Sequence, residues 1–187
     1  MISVELEHIL QHIYADARAK KHELISLEHL LFALVEQNDD VRDVLQQCGV
    51  DCNLLKDQLV ASILDNTPVL PDNLFNQTET QPTIGFQRVL QRAIVYVQSA
   101  GKDEVYPLDI LVSLMGETDC PAVYFLSLQS VGRYEILTAI AHGPSENYTD
   151  SDAEDNGEVE HTEKNDPLAN YTVNLNNEVK VGRIDPL

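Results

Sequence analysis

Basic residues are scarce in this chain. Its 187 residues hold 12 lysines and arginines against 31 acids, a formal net charge of −19. A surface this acidic repels phosphate backbones and anionic lipid heads, which argues against nucleic acid or membrane as partners and favours basic protein faces. An apolar run of membrane-spanning length is also lacking. The first residues, Met1-Ile-Ser-Val-Glu-Leu-Glu, place acids where a secretory leader needs positive charge. Cys48, Cys52 and Cys120 form an odd set without a CxxC pair. They fit small apolar core residues in a reducing cytosol better than a disulfide framework, so the expected location is cytoplasmic. The sequons at Asn76, Asn147 and Asn170 then carry no weight. A phosphate loop of the form G-x-x-x-x-G-K-[ST] is missing as well. Gly101-Lys-Asp lacks both the first glycine and the hydroxyl residue that would hold magnesium, so no ATP hydrolysis and no cofactor are expected in this stretch.

What the chain does have is one stretch written twice. His22 to Leu34 aligns without a gap on Asp103 to Met115, with Leu27 over Leu108, Glu28 over Asp109 and Leu30 over Leu111. From Leu27 to Leu108 the offset is 81 residues. The same offset puts Ile9 over Leu90, Ile13 over Ile94, Leu45 over Leu126, Val50 over Val131 and Leu59 over Ile140. Two copies are too few for a solenoid, so the expectation is a compact duplicated domain. Duplication yields two related surfaces, which suits recognition better than catalysis, and no catalytic residues are assigned.

Each copy reads as four helices, which makes the fold class all-α with about eight helices. Leu6, Ile9, Leu10, Ile13 and Ala17 recur at the helical period, predicting an amphipathic helix from about Ser3 to Lys21. Ser26 is a good N-cap for the next, lined by Leu27, Leu30, Leu31 and Leu34, with Glu28 in the first turn where the dipole favours a carboxylate. Asp39 or Asp40 is expected to cap a third helix carrying Val41, Val44 and Leu45, and Gly49 to end it. A fourth runs from about Asp51 to Leu64. In the second copy Phe86, Val89, Leu90, Ala93, Ile94 and Val97 make the long helix, Gly101 ends it, and Pro107 takes the place of the capping Ser26. Ala122, Phe125 and Leu126, then Tyr134, Leu137 and Ile140, complete the set. No strand alternation interrupts either copy. Asp65 to Pro82, with three prolines, is expected to be an ordered connector.

The domain layout follows from composition: the duplicated domain over residues 1–142 (copies at about 1–64 and 82–142), an acidic linker over 143–166, and a final stretch, 167–187. Ser145 to Asp166 holds nine acids and one lysine, too little apolar area to offset its ordering entropy, so a flexible tether is expected. The last stretch regains apolar residues but is too short for a core. It reads as the opening of a further module.

Two pairs of histidines have spacings that bear on metal binding. His8 and His12 lie one turn apart, but two ligands without a third are most simply solvated histidines. His22, Glu23 and His29 form a second loose cluster, with His29 at the core edge, where adventitious zinc is conceivable. No metal site is assigned. Tyr96, Tyr106, Tyr124 and Phe125 fall among apolar neighbours and are expected to line a core or groove. A stand-alone helical scaffold or a small metal-dependent hydrolase is the alternative function at this stage.

The blocks Thr67-Pro-Val-Leu-Pro71, Thr80-Gln-Pro-Thr-Ile-Gly-Phe-Gln-Arg-Val-Leu-Gln-Arg-Ala93 and Ser26-Leu-Glu-His-Leu-Leu31 resemble the N-terminal repeat domain of the Clp ATPases, of the ClpA type. The resemblance covers Met1 to His142 and resumes at Asn174-Leu-Asn and Val181-Gly-Arg-Ile-Asp-Pro-Leu187, which look like the start of the family's first AAA+ module. It departs at Glu178-Val-Lys180, where the family more often has an Ala-Arg pair. The resemblance implies a mobile docking domain that binds a ClpS-like adaptor delivering N-degron substrates to an unfoldase and its ClpP-like protease. ATP and magnesium would belong to AAA+ modules beyond this stretch, which would also hold the hexamer; these residues alone would be a monomer. In the family the Glu matched by Glu28 lies on a partner-binding face. Glu23 and Glu28 are therefore the expected adaptor contacts, with Thr80, Gln81 and Arg88 beside them. Asp103, Glu104 and Asp109 are the candidate second partner face.

Overall fold

The computed structural model describes residues 1–71 and 78–142. The expected tether and final stretch, 143–187, lie outside them, as do residues 72–77 of the connector. Eight helices occur among the described residues: α1 (Val4–Ala19), α2 (Leu27–Gln37), α3 (Asp39–Gln47), α4 (Cys52–Asn66), α5 (Ile84–Ser99), α6 (Pro107–Leu114), α7 (Pro121–Leu128) and α8 (Arg133–His142). Two short strands that the sequence pattern did not suggest, β1 (Leu24–Ile25) and β2 (Gln81–Pro82), precede α2 and α5.

Caps set the helix starts. The Ser3 hydroxyl accepts the Leu6 amide at 3.2 Å, and the Thr83 hydroxyl accepts that of Phe86 at 3.3 Å. Asn38, not Asp39 or Asp40, caps α3: its Oδ1 accepts the Val41 amide at 2.8 Å. Both acids fall instead in the first turn of the helix, where the dipole favours them. Asp51 caps α4 through the Asn53 and Leu54 amides. In the second copy Tyr106 is the N-cap and Pro107 the first helical residue, so the proline does not replace Ser26 as cap but follows the cap.

These caps correct the repeat register. Ser3 and Thr83 stand 80 residues apart, as do the starts of α1 and α5. The buried faces agree, since Leu6, Ile9, Ile13 and Ala17 match Phe86, Val89, Ala93 and Val97, all at most 3% exposed. Leu90 and Ile94, which an offset of 81 places on the core stripe, are only half-buried. The 80-residue offset holds through α2 and α6, where Leu30, Leu31 and Leu34 match Ile110, Leu111 and Leu114. It changes to 81 after the longer turn that precedes α7: Val50 and Val131 donate to Leu45 and Leu126 in the same way, and Leu55 matches Ile136. One added residue in that turn is the cause. The gapless alignment was therefore right for the second half of each copy and one residue out for the first.

Helix α2 is buried on eight of its eleven residues, which requires neighbours on every side. It packs against α1, α3 and α4 of its own copy and α5, α6 and α7 of the other. Helix α6, its twin, is buried on six of eight. The copies share one core, and Cys52 and Cys120 lie in it. They are also stitched reciprocally by backbone. β1 pairs in parallel with β2, Ile25 opposite Pro82, while Val105 pairs in parallel with Ile2. Each copy's strand thus meets the lead-in to the other copy's long helix. No described helix is long and apolar enough to cross a membrane.

Candidate docking face

The backbone from Lys21 to Ile25 is held on both edges. On one side the Glu23 amide donates to Pro68 O at 2.9 Å and the Leu70 amide to Lys21 O at 2.7 Å. On the other the Gln81 amide donates to Glu23 O at 3.0 Å, the Thr83 amide to Ile25 O at 2.9 Å, and the Thr80 hydroxyl to His22 O at 2.9 Å. Three of the expected site residues, Glu23, Thr80 and Gln81, therefore meet on one small sheet, and the side chains of Glu23 and Gln81 are exposed. Thr80 spends its hydroxyl on the backbone. Its part in the site is to position the strip.

Glu28 and Arg88 sit differently from expectation. Glu28 lies in the first turn of α2 but is only 8% exposed. Burial pushes the Cys120 thiol up, and the Glu28 and Glu117 carboxylates add to that shift. Arg88 is exposed but engaged: its Nε and Nη2 grip both oxygens of Glu117, whose Oε1 also accepts Arg92 Nη2 at 2.6 Å. Arg92 Nη1 donates to Ser113 O at 3.0 Å. The Arg88 bonds hold the Glu117 carboxyl below the usual carboxylate range, against the opposing effect of burial, and Arg92 assists. Glu117 went unnoticed in the sequence, although arginines at i and i+4 on one helix face signal a shared acid.

Behind the strip, His22 and His29 are buried, with His22 Nδ1 2.9 Å from His29 Nε2. The Ser26 amide donates to His29 Nδ1 at 3.2 Å. By that bond the His29 proton sits on Nε2 and is given to His22 Nδ1. Burial lowers the His29 pKa to about 4, and the neighbouring His22 adds to the shift; His22 is lowered for the same first reason, burial. The neutral pair ties the end of α1 to the first turn of α2. It borders a cleft of about 140 Å³ floored by Ile13, Ala33, Val60 and Ile63, with Asp16 and Glu36 at its walls. The two ring nitrogens face each other too closely to admit an ion between them. Among the described residues no three His, Cys, Asp or Glu side chains converge as metal ligands. His8 and His12 are exposed on α1.

In the second copy, the corrected register makes Asp103 the counterpart of Glu23. Glu104 takes the place of Leu24, and Asp109 that of His29. Asp109 indeed accepts the Tyr106 amide at 2.8 Å, as His29 accepts that of Ser26. Tyr96, Tyr106 and Tyr124 are exposed, so they do not build the core; each sits on the solvent side of its helix or loop.

Residues 1–129 match the model of the Clp repeat N-terminal domain. The chain belongs to the Clp N-terminal repeat family. A ClpA homolog protein from Fuscovulum blasticum is 37% identical over 99% of the chain, which spans 24% of that protein's length. Among solved structures, the Hsp104 N-terminal domain from Candida albicans superposes with a TM-score of 0.61 at 14% identity, covering 73% of this chain and 87% of that one. A ClpV N-domain solved in complex with a VipB peptide gives 0.58 at 17% identity, covering 75% and 84%. This Clp N-domain thus shares its fold with the ClpV and Hsp104 domains despite little sequence in common.

Proposed function

We propose that this Clp N-domain is the docking module of a ClpA-like, ATP-dependent unfoldase subunit that works with a ClpP-like protease. It receives a ClpS-like adaptor carrying N-degron substrates, and unfolded substrates directly. The observation that carries this reading is the strip Lys21–Ile25, locked on both edges, which presents Glu23 and Gln81 at fixed positions. A rigid, exposed patch suits docking, because little side-chain ordering remains to oppose binding, and the Glu23 carboxylate offers a contact to a basic group of the partner. The peptide bound to the ClpV N-domain supports peptide docking as a use of this fold. ATP, magnesium and hexamer contacts belong, in this reading, to AAA+ modules outside these residues, and the acidic run at 143–166 serves as a tether that raises local concentration at the motor. This chain alone is then a monomer in the cytoplasm.

The adaptor face comprises Glu23, Gln81 and Arg88 at the surface, Thr80 as the clamp, and Glu28 beneath. Glu23→Lys is expected to weaken binding of a ClpS-like adaptor about tenfold or more while leaving helix content intact, since it sets like charges across the contact. Titration by calorimetry beside circular dichroism tests it. Full affinity in the folded Glu23→Lys protein would remove this face from the interface.

A further inference from the structure

We propose that the backbone edge at Gly101–Asp103 is a strand-addition slot for an extended basic peptide with one large apolar residue. The proposal takes the domain to be a docking module, as above, but does not use the adaptor face.

The repeat supplies the template. In the first copy the edge Lys21–Glu23 is covered by Thr67–Leu70: Pro68 O takes the Glu23 amide, the Leu70 amide reaches Lys21 O, and Val69 bridges His22 in antiparallel fashion. Leu70 is 5% exposed and His22 only 3%. The second copy has the same backbone at this place. Lys21 and Gly101 share a left-handed φ of 57° and 69°. Their amides close the same turns on Arg18 O and Gln98 O, and the next amides, of His22 and Lys102, reach Ala17 O and Val97 O. Three residues further on, Ile25 and Val105 accept from the Thr83 and Ser3 amides. With both ends of the segment fixed alike, the Gly101 carbonyl and the Asp103 amide stand where Lys21 O and the Glu23 amide stand.

Among the described residues neither group has a hydrogen-bond partner. Lys102 is exposed where His22 is buried. An open edge offering one donor and one acceptor two residues apart is what an extended chain completes. Beside it lies a cleft of about 150 Å³ lined by Met1, Ile2, Ile94, Val97, Gln98, Asp103 and Val105. Its lining is half apolar, from Ile2, Ile94, Val97 and Val105, and Asp103 belongs both to it and to the edge, so it can receive a side chain in the role that Leu70 plays in the first copy. Charge selects the flanks of the peptide. Asp103 and Glu104 lie at the slot with Asp109 further along the chain, Lys102 and the Met1 ammonium, which donates to the Asp103 carbonyl, are the cations beside it, and the chain as a whole is strongly acidic. Basic residues on either side of the apolar one fit that field.

The probe is a labelled peptide Lys-Thr-Pro-Val-Leu-Pro-Lys, the first copy's own strand with lysine flanks, titrated into the full chain by fluorescence anisotropy. Binding is expected together with slowed hydrogen exchange at the Asp103 amide. N-methylation of the peptide's leucine, which removes the hydrogen donated to Gly101 O, is expected to weaken binding about tenfold. Glutamate in place of both lysines should weaken it further, and a saturating ClpS-like adaptor should leave the probe bound. Failure of the adaptor titration and failure of the peptide titration are therefore separate results. Equal affinity of the N-methylated peptide overturns the proposal. So does an Asp103 amide already protected in the peptide-free chain, because the chain's own residues would then fill the slot.

Discussion

The two copies fill the cleft between their first two helices in opposite ways. At the cleft between the first two helices, copy one has His12 and Gln37 where copy two has Arg92 and Glu117. In copy one the C-terminal part of α4 brings Val60, Ile63 and Leu64 over the gap, and the polar groups beneath are neutral histidines. In copy two the site is a polar hollow in which Arg88 and Arg92 converge on Glu117. The imidazole pair of copy one, at the places of Lys102 and Asp109 in copy two, is stable in its burial because it sheds its charge. A buried carboxylate is stable only because two guanidinium groups meet it. One backbone thus tolerates two electrostatic solutions, provided each buried polar group finds its partner.

The comparison is broken most strongly in the core. Leu30→Ala and Ile110→Ala, twins in the corrected register and both fully buried, are each expected to cost about 2–5 kcal/mol. Leu108→Ala, the twin of Leu27 under an 81-residue offset, removes a half-buried side chain and should cost roughly 1–2 kcal/mol. Urea unfolding of the three variants ranks them, and equal losses at positions 108 and 110 would undo the register assigned to α6.

Acid should separate the two polar solutions next. His29 takes up a proton near its ordinary 6.5 in the unfolded chain and only near about 4 in the folded one. Its contribution is therefore complete above pH 6.5 and is lost as pH falls toward 4, by about 2–3 kcal/mol. Glu117, with its folded pKa depressed, contributes above its ordinary 4.5 and loses that contribution only as pH falls further. Stability measured from pH 7 to 4 should decline in the native protein and less steeply in His29→Gln; parallel slopes would show that the imidazole is not charged on unfolding.

Smaller effects sharpen the symmetry of the turns and caps. Gly101→Ala meets no atom within 4 Å but must hold a positive φ, so a loss of about 1–2 kcal/mol is expected from conformation alone. Ser3→Ala and Thr83→Ala should each cost about 1 kcal/mol, and similar amounts, since both hydroxyls cap the same turn of the same helix. A cost at one cap and none at the other, read from thermal unfolding, would show that the equivalence is geometric only.

Apolar periodicity, cap residues and the written repeat determined a duplicated all-α fold, and the Leu27 to Leu34 run marked its central helix. Those features are local, fixed by backbone sterics and by the period at which side chains face a core. The 80-residue register was hidden because an amphipathic stripe flanked by half-buried residues, as Val89 is by Leu90, reads nearly as well when shifted by one. Only packing decided it. The same holds for β1 and β2, too short for any pattern to show, and for the burial of Glu28, which a first-turn position does not foretell. Tertiary structure buried Glu28 and brought Glu117 to two arginines more than twenty residues away. Which side chains meet across a fold depends on how helices cross, and that is set by the whole core at once rather than by any neighbouring stretch of chain.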